Sequence, residues 1–376
     1  MHTRKFLLLY LWLIVGTGLL GPLQTAFAAE PGLEGVRLRG RVTAVQSDGV
    51  IPGAYDDMEQ QTVSVRLQQG SQRGETVAVP NVITGQPYYD LLVKPGDTVV
   101  IQRLDTETGP PEYQLVDFAR VTPLRTLALI FALSLVLIGG LKGLKALISL
   151  LVMGVVVVYV LLPLVLRGWN PVWVTVGISS AMTAFFLLFV GGVNRKTLGA
   201  VLGTVGGLLA AGLLALWIGR AAYLTGLSSG EAQMLQFHDA SLDVQGLLFS
   251  GIVIGALGAI LDVGMSVSSA MEQVKNSDPS ISLTLLFQRG MAVGRDVLGT
   301  MANTLVLAYV GSSLPLLLLF QLYEASGTEI LNLDLVATEV VRAMAGTVGL
   351  ALAVPLTALI AGFLQTRKSP PSETAR

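Results

Sequence analysis

The stretch Gly246–Met271, GLLFSGIVIGALGAILDVGMSVSSAM, carries one charged side chain, Asp262, among twenty-five apolar, small or hydroxyl residues. A bilayer demands roughly 20 mostly apolar residues of a helix, and a charge at the middle of one costs roughly 2.5–3.5 kcal/mol on insertion scales. The run therefore reads as a membrane helix that keeps an acid for a reason. Ser266 at i+4 and Ser269 at i+7 lie on the Asp262 face of that helix. Gly251, Gly255 and Gly258 give it a small-residue edge suited to close packing against a neighbour, as does Gly299 on a later span.

Composition supports the same class. Of 376 residues, 52% are hydrophobic and 13% charged, with a net charge of -1 and a mean hydropathy of +0.67. The chain reads as an α-helical polytopic membrane protein, and no global basic surface points to nucleic acid. The absence of cysteine excludes disulfides, thiolate metal sites and cysteine nucleophiles. Residues 1–28 resemble a signal peptide: Arg4 and Lys5 precede the apolar stretch Phe6–Leu20, and Ala26-Phe27-Ala28 has the small-x-small pattern of a cleavage site. An uncleaved anchor is the alternative, and both deliver the next segment outside.

Residues 33–122 differ in kind from the rest of the chain. Short alternating runs over Arg37–Val45, Thr62–Leu67, Glu75–Val79, Thr98–Arg103 and Tyr113–Phe118 predict five strands between turn signals. Five short strands suit a small exported all-β domain, OB-like or SH3-like. No strand alternates aromatic and basic residues, so a stabilising cap or a partner surface is the expected role.

Residues 124–364 predict a transmembrane bundle of about seven helices, at 124–141, 145–166, 172–192, 198–222, 246–271, 299–322 and 339–364, followed by a tail over 365–376. Lys142, Lys145, Arg195, Lys196, Lys275, Arg289, Arg295, Arg367, Lys368 and Arg376 fall on one set of connections, and Arg167, Arg220 and Arg342 on the other. Basic residues mark cytoplasmic loops, which orients the chain in the membrane with its N-terminal domain outside and its C-terminus in the cytoplasm. Between the fourth and fifth spans, Ser228 three residues before Glu231 predicts a capped short helix bearing Met234, Leu235 and Phe237. Glycine spacing in these two spans predicts that they are central to the bundle.

Three groups could carry chemistry. Asp262 with Ser266 reads as an ion or proton site lining a cavity, or as a structural carboxylate paired with a basic side chain. Asp296, Thr300 and Asn303 recur at i, i+4 and i+7, a polar stripe that could face the Asp262 stripe, with Arg295 either pairing with Asp262 or reaching to the interface. His238, Asp239 and Asp243 read as an outer vestibule, or as helix caps. His238 is the one histidine outside the signal, so the sequence predicts neither a metal site nor a cofactor.

From about Gly35 to Phe363 the chain resembles the YibE/F-like family of bacterial multipass membrane proteins. The resemblance is carried by His238-Asp239-Ala240-Ser241, by GALGAILDVGMS over Gly255–Ser266, by GRDVLGTMANT over Gly294–Thr304, and by Ser313-Leu314-Pro315. It implies an exported strand-rich domain and a multi-span bundle, and it names no substrate. The leading expectation is a secondary transporter or permease for an ion or small polar solute, embedded in lipid. The alternative is a structural or docking subunit of an envelope complex, as a homo-oligomer or with a membrane partner. An intramembrane hydrolase comes last, since Asp262 and Asp296 lack the Gly-x-Gly-Asp setting; no glycine-lysine phosphate loop is present, so the sequence predicts no ATP hydrolysis by this chain.

Overall fold

The computed structural model describes residues 36–50, 58–104, 110–322 and 326–366, so the expected signal and all but two residues of the tail lie outside the described residues. The chain divides into two compact units, one ending at Ile138 and the other beginning at Gly139.

The first unit contains all five expected strands: β1 (Val36–Val50), β2 (Glu59–Leu67), β3 (Thr76–Ile83), β4 (Thr98–Leu104) and β5 (Glu112–Phe118). Every pairing is antiparallel, in the order β3-β2-β1-β4-β5. Valine and isoleucine at alternate positions turn one face inward, burying Leu38, Val42, Val63, Val65, Val99 and Ile101. Register shifts between Val42 and Ala44 and between Ser47 and Gly49 add residues to β1. Such bulges increase local twist, and the sheet curls until β3 approaches β5.

The expected first two spans occupy one helical run, α1 (Val121–Val156), a π-helical turn (Val157–Leu161) and α2 (Leu162–Leu166). Gly140 interrupts α1 at φ 56, ψ -133, a conformation that costs little only without a Cβ. The remaining helices are α3 (Pro171–Gly191), α4 (Arg195–Ala221), α5 (Gly230–His238), α6 (Val244–Ser277), α7 (Leu283–Ser312), α8 (Leu314–Leu322), α9 (Gly327–Asn332) and α10 (Asp334–Thr366). Among the described residues, five helices are long and apolar enough to cross a membrane, or up to six if the pair α7 and α8, bent by 59°, forms one span. The expected seven is thus not the number observed, because 124–141 and 145–166 share one run. The helix that carries the expected sixth span, α7, begins earlier, at Leu283. Arg289 and Arg295, read as loop residues, lie on its first half.

Glycine-rich segments such as α6 stay helical because a chain in lipid must satisfy its backbone hydrogen bonds internally. Pro355 lies inside α10 without ending it, whereas the bend between α7 and α8 falls at Ser313, two residues before Pro315, which cannot donate a backbone N–H. The core of the second unit gathers Leu208, Val253, Ile260, Val263, Leu350 and Val354 from α4, α6 and α10. At one end, Lys196 Nζ pairs with Glu272 Oε2 at 2.7 Å and Ser268 Oγ donates to the Lys196 carbonyl at 2.7 Å, tying α6 to the start of α4. At the other, Thr225 Oγ1 donates to Asp334 Oδ2 at 2.6 Å, joining the connection after α4 to the start of α10.

Candidate functional site

Most of α6 is wrapped by neighbours, and one stripe is not. Gly251, Gly255, Gly258, Asp262 and Ser266 are exposed, and their spacing of four, three, four and four places them on one helical face. The residues between them, Ile252, Val253, Ile260 and Val263, are fully buried. Asp262 therefore does not lie in the packed core. Among the described residues no ion pair or hydrogen bond reaches its carboxylate, from Arg295 or any other side chain.

Two elements flank the stripe. Gly258, with Ile254 and Leu257, lines an apolar recess of about 240 Å³ whose other wall is Leu150, Met153 and Val157 from α1 and the π-turn. Toward the start of α6, the Tyr309 hydroxyl of α7 stands over Gly255, 2.6 Å from where a Cβ would be. Between Gly255 and Gly258 the stripe thus forms the floor of a lateral groove, and Asp262 and Ser266 continue beyond it on the same exposed face. Asp262 lies seven residues from Gly255, about 10 Å along the axis at 1.5 Å per residue. Because α6 continues past Met271 to Ser277, Asp262 sits near the middle of the helix.

The expected meeting of the two polar stripes does not occur as a bonded contact. Helices α6 and α7 pack through other faces: Gly294 lies against Val267 and Gly290 against Met271. That antiparallel register sets Asp262 level with Gly299. Arg295, Asp296, Gly299, Thr300 and Asn303 are all exposed or half-exposed at the surface of α7. Thr300 Oγ1 donates back to the Val297 carbonyl at 2.9 Å, which satisfies it within its own helix. Among the described residues no hydrogen bond or ion pair joins Asp296 to Asp262.

The glycines expected to pack helices mostly do not. A Cβ at Gly251, Gly258 or Gly299 would meet nothing within 4 Å, and of the four only Gly255 has a close neighbour. The close approach is instead between α4 and α10, where Gly199, Gly203 and Gly207 lie against Ala361, Thr357 and Ala353. A four-residue glycine repeat facing small residues lets two helix backbones come together.

His238, Asp239 and Asp243 lie at helix ends, where the Asp239 carboxylate closes a turn and the Asp243 carboxylate caps a helix. Ser229, rather than Ser228, caps α5, accepting from Ala232 N at 3.2 Å, and His238 is the exposed last residue of that helix. Asp239 accepts from Ser241 Oγ at 2.6 Å and Ser241 N at 2.9 Å. These bonds, the hydroxyl first, hold its carboxyl below the ordinary carboxylate range. Asp243 Oδ1 accepts from Gly246 N at 2.7 Å and caps α6. Asp243→Ala should therefore lower stability by about 1 kcal/mol, measured by chemical unfolding of the purified protein. A variant as stable as the parent would rule out the capping role. No group of three or more histidine, aspartate or glutamate side chains among the described residues is placed to hold a metal ion.

One cluster is not evident from the sequence. Glu339 Oε1 pairs with Arg342 NH1 at 3.1 Å on α10, and Tyr309 lies within electrostatic reach of both. The Tyr309 hydroxyl, Glu339 Oε2 and Arg342 Nε are buried atoms with no hydrogen-bond partner. The signal for it is Glu-x-x-Arg at the start of an apolar run, together with Tyr309 in another. The distribution of basic residues hides it, because it groups Arg342 with the connections between spans.

Residues 127–367 match the family model described as YibE/F-like protein. The strands up to Phe118 lie outside that match, so the family likeness begins later than Gly35. No curated protein and no solved structure matches the chain.

Proposed function

The chain belongs to the YibE/F-like protein family, and from that premise we propose that it is a secondary transporter or permease whose translocated ion or small polar solute passes along the α6 groove, with Asp262 as its binding carboxylate. One observation carries the reading: Asp262 is exposed and unpaired on a helix otherwise wrapped by apolar neighbours. A carboxylate left so in lipid is costly, and a water-lined path removes that cost. Tyr309, Glu339 and Arg342 form the outer end of the groove in place of His238, and Ser266 extends it inward.

The run Val121–Leu166 would be about 69 Å long at 1.5 Å per residue, more than twice a bilayer core. We read the break at Gly140 as dividing it into two spans, which with the α7–α8 pair makes seven. Lys196 and Lys275 at one end of the bundle, and exposed Trp169 and Trp173 at the other, support a cytoplasmic C-terminus and an external strand domain. The strand order supports the OB-like alternative over the SH3-like one.

In proteoliposomes holding a proton or sodium gradient, dye-reported ion flux by the wild type should vanish in Asp262→Asn with insertion intact. Unaltered flux removes Asp262 from the mechanism. A docking subunit is the second reading, favoured by the open, exposed glycines at 251, 258 and 299, which resemble a helix-association face. The chain has no cysteine, so Gly258→Cys separates the two. Labelling by a water-soluble thiol reagent supports the groove, and cross-linking between copies supports docking. A catalytic carboxylate pair is least favoured, since no hydrogen bond links Asp262 and Asp296.

A further inference from the structure

The outer face of the strand domain carries an arrangement that the transport reading does not use. On β1, Leu38, Gly40 and Val42 point into the core, which leaves Arg37, Arg39 and Arg41 on the opposite face. Antiparallel pairing sets Arg41 directly across from Arg66 of β2, and Arg73 lies in the turn before β3. Arg39, Arg41, Arg66 and Arg73, with Gln68 and Gln69, line one open pocket of about 560 Å³. Among the described residues no acid lines it, and none of these four arginines forms an ion pair. Among the described residues Arg41 Nε donates to the Gly96 carbonyl at 3.2 Å.

Like charges placed directly opposite on adjacent strands oppose folding. Four guanidinium groups around one pocket therefore need a counter-charge, and none of the described residues lining it supplies one. We propose that this pocket binds a ligand bearing two or more phosphate groups. Guanidinium forks match phosphate oxygens bidentately and carry their charge at any physiological pH. The spacing of the arginines over two strands and a turn favours clustered phosphates over a single one. The source is either a soluble polyphosphate or the headgroups of anionic lipid. The second is within reach of the chain, because β5 ends at Phe118 and the apolar helix α1 starts at Val121.

The test uses the full chain. Inorganic tripolyphosphate is titrated by calorimetry into protein held in a neutral detergent. In parallel, hydrogen exchange of β1 and β2 is compared in nanodiscs of phosphatidylglycerol and of phosphatidylcholine. Saturable tripolyphosphate binding that weakens with added salt, or protection of β1 and β2 only in phosphatidylglycerol, supports the pocket and identifies its source. Arg66→Gln should weaken the response about tenfold, as expected for loss of one charged hydrogen-bond donor. Without any anion it should melt no lower than the wild type, since it relieves the facing charges. The variant carrying glutamine at all four positions should lose the response altogether, with its strand content checked by circular dichroism. No response of the wild type to either probe overturns the proposal, as does an undiminished response in the folded fourfold variant.

Discussion

Gly203→Leu is expected to leave no folded bundle. A Cβ at position 203 would overlap the Thr357 hydroxyl and lie 2.6 Å from the Thr357 Cα, so the obstacle is backbone rather than a side chain able to swing aside. Overpacking a core that can adjust costs roughly 1–3 kcal/mol. Here α4 must move away from α10, and every contact along that glycine repeat loosens together. Even Gly203→Ala should cost about 1–3 kcal/mol. Gly258→Ala is the control: its Cβ enters open space, so its effect should stay within about 0.5 kcal/mol. Thermal unfolding of the three variants in one detergent is the measurement. A wild-type melting curve for Gly203→Leu would contradict the close packing of α4 on α10.

Arg342→Met should be the second most damaging change. It leaves Glu339 charged and unpaired on a helix that is apolar for most of its length. Breaking a fully buried pair costs roughly 3–5 kcal/mol. The side chains here retain 31% and 22% exposure, so about 2–3 kcal/mol is the expected loss. Adding Glu339→Gln should recover most of it, because the stranded charge is gone, and a double-mutant cycle measures the coupling. Ion flux gives the second readout. If the cluster forms the outer end of the conduction groove, the stable double variant remains inactive. Recovery of flux along with stability would make the pair a structural clamp alone.

How far the sequence leads differs from element to element. All five strands are legible because alternation in a half-buried sheet is a local property: Val63, Ser64, Val65 and Arg66 show in sequence the faces they take in the sheet. The start of α7 is not legible, because its first half carries Arg289, Arg295 and Asp296, and a span search rejects a helix whose exposed side is charged. The glycine signal on α4 is read correctly, but the small residues that the repeat Gly199, Gly203 and Gly207 meets on α10, Ala361, Thr357 and Ala353, do not stand out in a sequence of this composition.

The candidate site divides along the same line. The single acid in Gly246–Met271 marks Asp262 by itself, because an unexplained charge in an apolar run is costly wherever the run lies. Whether that acid meets a base or open space depends on which face of α6 the other helices cover. The turn at Asp239 and the cap at Asp243 are local geometry, yet histidine beside acids looks the same in sequence whether the acids close a helix end or bind a ligand. The alternation Arg37, Arg39, Arg41 is present in the sequence, but its meaning depends on strand register, which sets Arg41 against Arg66.

By itself, then, the sequence determined what each segment must be: strands where apolar residues alternate, membrane-type helices where they run on, and a costly acid at position 262. Only the tertiary structure decided which faces meet. Hydropathy is a sum over neighbours in the chain, whereas helix pairing, strand register and the exposure of one stripe depend on contacts between residues far apart in it. That is why the lateral groove, the Glu339–Arg342 pair near Tyr309 and the arginine pocket emerged only once the elements were placed together.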